Sequence, residues 1–498
     1  MRLLQNLFLI ALLTTVISCS KKEPETATII EPHRPQFHFS PPAKWMNDPN
    51  GMVYYNGEYH LFYQHYPDST MWGPMHWGHA VSKDLIHWEH LPIALYPDSL
   101  GYIFSGSAVV DANNTAGFQS GNEKPLVAIF TYDKQGYETQ AIAFSNDKGH
   151  TWTKYENNPV IKNPGEKDFR DPKVFWHVES EHWIMSLAVA NRIQFFRSKN
   201  LKDWELTGEF GREHGNHGGV WECPDLFQLP VTGTTETRWV LLVSINPGSP
   251  NGGSGTQYFI GNFDGKTFTS EHGPSTERFI DYGRDNYAGV TWGNAPDGRT
   301  IFLGWMSNWN YAQVVPTETW RSAMTLPRDL SLHNTSAGIR LVSTPSKEVE
   351  QLRTERKDIT VDQPFIHTGL AEVKVEFDLN ETAAKDFGIE LFNSKNENIR
   401  IGYDRESNWF YIDRTNPGKK EFSTDFVGIQ YAPRFSDSHI LTLHIFVDVA
   451  SVELFADGGV SCMTAIFFPT EDFTQLKIYG DGEVKLLSTE AYELKSIW

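Results

Sequence analysis

Cysteine is nearly absent: the 498 residues contain three, Cys19, Cys223 and Cys462. The two beyond the leader do not make a disulfide framework. Positive charge is also short. Lys and Arg total 43 against 62 Asp and Glu, a formal net charge of −19, which argues against nucleic acid and against a basic membrane-binding surface. A neutral ligand suits such a chain better. Metal-binding patterns are missing too. His76 and His79 have ligand-like spacing, but no Cys cluster or His–carboxylate set accompanies them, and packing or hydrogen bonding is their simpler role. No metal and no cofactor are expected. Between residues 36 and 345 there is no long amphipathic helix, so the fold class is read as all-β.

The one apolar run, Leu7 to Ile17, is too short to span a bilayer comfortably. With Arg2 before it and Ser18 after it, it reads as a targeting segment. Val16-Ile17-Ser18-Cys19 resembles a bacterial lipobox. That resemblance implies cleavage before Cys19, lipidation of Cys19, and an envelope lipoprotein at the outer membrane, held only by its N-terminal lipid. An ordinary secretory signal with an incidental cysteine is the other reading. Residues 1–19 are thus the signal and 20–35 a polar tether.

What is abundant is turn chemistry and aromatic surface. The chain is too long for one core, so two domains are expected. Its 16 Trp and 19 Tyr offer flat faces suited to sugar rings, though most aromatics fill cores. Trp45-Met46-Asn47-Asp48-Pro49-Asn50-Gly51 leads into a strand, then Asn56-Gly57, a strong hairpin signal. Ser82-Lys83-Asp84-Leu85-Ile86-His87-Trp88 returns as Ser198-Lys199-Asn200-Leu201-Lys202-Asp203-Trp204, with looser copies ending at Trp152 and Phe268. A polar turn followed by an aromatic, repeated after each strand-like run, suits the outer hairpin of a propeller blade. A fifth unit from Asp285 to about Leu332 completes a ring, and residues 36–345 are read as a five-bladed β-propeller.

The units open at Asn47-Asp48, Phe104-Ser105, Arg170-Asp171, Trp221-Glu222 and Asp285-Asn286-Tyr287. First strands of blades line the central channel, so Asp48, Asp171 and Glu222 are expected to share one pocket. Residues 346–364 are highly charged and read as a linker with a possible short helix. Alternating strands return from 365 to 498, with a tight hairpin at Asp457-Gly458-Gly459, as in a β-sandwich.

Three carboxylates at a cleft suggest glycoside hydrolysis, which needs one acid for the leaving oxygen and a second carboxylate across the sugar. Their environments must separate their pKa values. Glu222, between Trp221 and Cys223-Pro224, has apolar sequence neighbours that would raise it; Asn47 and Asn50 would favour the charged form of Asp48.

Trp45-Met46-Asn47-Asp48-Pro49-Asn50-Gly51, Phe169-Arg170-Asp171-Pro172 and Trp221-Glu222-Cys223-Pro224-Asp225, in this order, resemble glycoside hydrolase family 32, the β-fructosidases. The resemblance covers nearly the whole mature chain and implies a five-bladed propeller followed by a sandwich. It implies Asp48 as nucleophile, Glu222 as acid/base and Asp171 as transition-state stabiliser held by Arg170. It also implies a fructose site lined by Asn47, Gln64, Trp72, Ser105 and Trp309, with Phe104 as a wall. The expected activity is retaining hydrolysis of β-fructofuranosidic bonds in fructans, levan ahead of inulin or sucrose. Cys223 is expected to pack beside Glu222. A non-catalytic fructan-binding lipoprotein and a fructosyltransferase on the same fold are the alternatives.

Overall fold

The computed structural model describes residues 31–361 and 363–498. The signal segment, Cys19 and residues 20–30 of the tether lie outside the described residues. From Glu31 onward the chain is packed on the body rather than strung out as a tether. Arg34 is buried, donating to Ser40 Oγ at 3.1 Å and Pro41 O at 2.9 Å, with its guanidinium over the Trp320 ring.

Five antiparallel sheets follow in sequence. Their inner strands are Lys44–Tyr55, Tyr102–Val110, Phe169–His177, Val220–Pro230 and Tyr287–Thr291. Each touches the next, and the fifth touches the first, so the ring is closed. Blade V runs on through Arg328–Thr335 and Gly338–Pro345, beyond the Leu332 limit read from the repeat. The two-residue strand Trp320–Arg321 pairs in parallel with Lys44 and Trp45 at the start of blade I. It ties the two ends of the ring together.

The repeated turn is held by two recurring kinds of bond, each found in three blades. Trp88, Trp152 and Trp204 return their indole N–H to the carbonyls of Leu85, Gly149 and Leu201, at 3.1, 2.8 and 3.0 Å. Asp84, Asn200 and Asp264 each accept two backbone N–H groups of the turn on one side-chain oxygen. These side chains mimic a turn's own backbone. The aromatic then closes over it, which is why the motif survives as a legible repeat.

Strands between residues 353 and 494 form two packed six-stranded sheets. Val373, Val375, Phe377, Phe387, Ile389, Leu391, Leu443 and Ile445 are fully buried between them. Within 346–364, Lys347–Leu352 is a 3-10 turn and Arg353–Lys357 an edge strand of one of these sheets. The stretch read as linker is therefore partly built into the sandwich. Propeller and sandwich are joined by buried ion pairs. Arg328 donates to Asp281 Oδ2 at 2.9 Å and to Glu453 Oε2 at 3.1 Å. His38 lies 2.8 Å from Asp448 and 2.9 Å from Glu453. Arg414 reaches Asp285 at 2.7 Å. The architecture is the all-β propeller and sandwich expected from the sequence.

Candidate active site

Every inner strand slips register at its pocket end. The breaks fall between Met46 and Pro49, Ile103 and Gly106, Arg170 and Lys173, Glu222 and Asp225, and Tyr287 and Val290. Such bulges bend a strand and re-aim its side chains. Asp171, Cys223 and Ala288, each inside its break, hold positive φ of 64°, 45° and 53°. Gly51 is needed beside the first break. Its φ is +58°, and a Cβ there would stand 2.6 Å from the Phe62 ring.

The bulges open into a cavity of about 420 Å3. Asn47, Asp48, Gln64, Trp72, Phe104, Ser105, Arg170, Asp171, Glu222 and Trp309 all line it. All ten residues singled out in the sequence are thus brought together. Asn246 and Gln313 line it as well; neither is singled out by the sequence.

Asp48 is held at both oxygens. Asn47 Nδ2 donates to Oδ1 at 2.9 Å and Ser105 Oγ to Oδ2 at 2.7 Å. The Asn47 amide is itself oriented by Trp45 Nε1, which donates to its oxygen at 2.7 Å. Asn50 does not serve the carboxylate: its amide bonds the Asp48 backbone carbonyl at 3.3 Å. Burial, and then the negative charge of Glu222, push the Asp48 carboxyl above its ordinary value despite Ser105 and Asn47. The two asparagines therefore do not set the balance expected of them.

Arg170 binds Glu222, not Asp171. Its Nε donates to Glu222 Oε1 at 3.0 Å, and its Nη1 reaches Glu138 at 2.9 Å and Asp168 at 2.8 Å. The other oxygen of Glu222 accepts from the buried Tyr287 hydroxyl. Trp221 turns away into the interblade core, so Glu222 meets polar partners rather than the apolar setting its sequence neighbours suggested. Tyr287, Glu138 and Asp168 were missed. For Tyr287 the signal existed, since it stands in the opening of unit five; for Glu138, in a second-blade strand, there was none.

Asp171 is fixed by the Cys223 backbone N–H at 3.0 Å. The Cys223 sulfur lies 3.6 Å from Asp171 Oδ2 and 3.8 Å from Asp48 Oδ2. Cys223 is therefore the spacer between two carboxylates, with Glu222 also acting on its thiol. Burial pushes the Asp171 carboxyl up to about 8; Arg170 pulls it down, while Glu222 and Asp48 push with burial. Burial and the three acidic groups also hold the Cys223 thiol well above its ordinary value. Gln64 is buried with its amide nitrogen unpartnered at the cavity wall, a donor ready for a ligand oxygen. Trp72 and Phe104 meet edge to face at 6.2 Å, and Trp309 stacks on Trp45 at 5.8 Å. His76 bonds the Pro74 carbonyl and His79 bonds His60. Neither lines the cavity, and no metal-binding group of His, Cys, Asp and Glu occurs among the described residues.

The model of the glycosyl hydrolases family 32 N-terminal domain matches residues 38–345, and that of the family 32 C-terminal domain matches residues 339–493. The chain belongs to glycosyl hydrolase family 32. The levanase of Bacillus subtilis (strain 168) is 50% identical over 512 residues, covering 100% of this chain and 75% of the relative. The crystal structure of an exo-inulinase from Aspergillus awamori superposes with a TM-score of 0.89 at 37% identity, covering 94% of this chain and 99% of that one. A β-fructofuranosidase from Schwanniomyces occidentalis, complexed with fructosyl-erythritol, gives a TM-score of 0.84 at 37% identity, covering 93% and 98%. As a family 32 member the chain is a glycoside hydrolase, and its pocket holds the acid groups such chemistry needs.

Proposed function

We propose that the protein is a retaining β-fructosidase that removes terminal fructose from fructans, levan before inulin. The observation that carries the reading is the arrival of Asp48, Asp171 and Glu222, from three blades, in one small pocket with their donors in place. A pocket of this volume suits a chain end. The half identity to a levanase favours levan.

Asp48, steadied by Asn47 and Ser105, attacks the anomeric carbon. Glu222 gives its proton to the departing glycosidic oxygen and later takes one from the water that releases fructose. Asp171 lies as a fixed negative charge beside the developing oxocarbenium ion. In the free pocket the crowded carboxylates share a proton. Sugar hydroxyls that donate to Asp171 favour its charged form. Gln64, Trp72, Phe104 and Trp309 grip the sugar. Transfer to a second sugar uses the same groups, and the distinction is the product pattern at high sucrose.

Glu222→Gln should abolish turnover with the fold intact, and wild-type activity in that variant would refute the acid/base role. Fructose released from levan should first appear as the β-anomer by NMR; prompt α-product would refute retention. Comparison of initial rates and products on levan and inulin decides linkage and end preference. The Cys19 lipid anchor at the bacterial outer membrane is part of the same proposal, supported by the lipobox-like Val16–Cys19. Labelled fatty acid should enter the wild type but not Cys19→Ala.

A further inference from the structure

Below the pocket floor the channel is plugged. Two residues along from Asp171 and Cys223 stand Lys173 and Asp225. Lys173 Nζ lies 3.0 Å from Asp225 Oδ2, and that oxygen also accepts from Thr291 N at 2.6 Å and Thr291 Oγ1 at 2.8 Å. Beyond the plug, the inner strands of blades III, IV and V run out around a second cavity of about 320 Å3. It stands at the opposite mouth of the channel from the carboxylate pocket, because both are lined by the same strands at opposite ends.

Phe175, Trp176, Phe227 and Trp239 line this cavity and are each only half-buried. Phe175 and Trp239 meet at 5.6 Å, with planes 41° apart. Half-open aromatic faces suit the C–H faces of a sugar. The polar content is equally specific. Asp225 is almost wholly buried, and its Oδ1 has no hydrogen-bond partner. Lys173 is already balanced by Asp225, so the cavity has no spare cation to attract an anion. Aromatic faces around an acceptor with no unbalanced positive charge call for a neutral, hydroxyl-rich ligand.

We propose that this far mouth is a second binding site for one neutral sugar unit of a fructan chain. The ligand class rests on the β-fructosidase reading above. A chain held there keeps the enzyme on its polymer while the catalytic pocket trims free ends, because the second contact raises the effective concentration of ends.

The test is calorimetry of full-length Glu222→Gln with a short levan oligosaccharide. Two sites per chain are expected. Adding Thr300→Phe, which fills the cavity from its rim, or Phe227→Ala, which removes a wall, should leave one. In the otherwise wild-type chain the same two changes should leave kcat on sucrose unchanged, which also shows that the variants fold. Retardation in levan-containing native gels should fall in both. One site per chain, unaltered by either change, overturns this proposal and leaves the β-fructosidase reading standing. No binding of levan or inulin oligosaccharide at any site would overturn both.

Discussion

Arg170 Nε donates to Glu222 Oε1 at 3.0 Å, so an ion pair at the pocket bridges the opening strands of blades III and IV. The same guanidinium holds Glu138 and Asp168, and Tyr287 donates to the second oxygen of Glu222. Glu222 is thus clamped from two sides. Tyr287→Phe should lower kcat by roughly tenfold or more, from the loss of one hydrogen bond to a charged group, and change KM less. An unchanged kcat would show that the phenol does not position the acid. Arg170→Lys should cost more, because an ammonium cannot serve three carboxylates in a planar fork. Buried Glu138 then loses its partner, so a melting-temperature drop should accompany the loss of kcat/KM.

Asp171 gives a stability prediction of defined sign. Its carboxyl, ordinarily at 3.8, is raised to about 8 in the fold. The native chain therefore keeps a proton that the unfolded chain releases, and stability falls as pH rises through that window. Asp171→Asn removes the buried charge but keeps an oxygen for the Cys223 N–H. Its melting temperature should exceed the wild type's by a margin that grows from pH 5 to pH 8. Activity should drop by about 10²–10³-fold. A margin constant with pH would show that Asp171 is ionised in the fold throughout. By the same proton count, wild-type kcat/KM should decline on the alkaline side above about pH 8.

Cys223 is wedged between Asp48 and Asp171, and its thiol is held protonated. The thiol form is a poor nucleophile. Iodoacetamide at pH 8 should therefore leave native protein unmodified at Cys223 and label it after unfolding, as read by peptide mass. Rapid labelling of the native chain would contradict the burial.

His38 binds Asp448 and Glu453 of the sandwich, and these carboxylates raise it to about 9 against the opposing effect of burial. A histidine raised on folding stabilises fully below its ordinary 6.5, and that contribution fades as pH climbs through 9. His38→Gln should flatten the decline of melting temperature between pH 6.5 and 9. A decline as steep as the wild type's would remove His38 from the interdomain network.

The turn and repeat chemistry was readable because it is local. Asp84 and Trp88 lie within one tight turn, so their spacing survives in the sequence and gives the blade. The three acids were readable because each opens a unit, and the ring places openings together. The partners of those acids were not readable. Which carboxylate Arg170 meets depends on the bulge between Arg170 and Lys173, and no residue pattern announces that twist. Asn50, three residues from Asn47, was credited with a role that the same kind of bulge gives to Ser105. Glu138 lies in the third strand of its blade, where the sequence gives no cue that it faces an arginine 32 residues on.

The short parallel pairing of Trp320–Arg321 with Lys44–Trp45 bears on when the enzyme comes alive. All three acids have been synthesised by residue 222, yet the segment bearing Asp48 lacks its parallel partner strand until the chain has grown about another hundred residues. Fragments ending before Trp320 should carry every reactive group and still turn over no sugar.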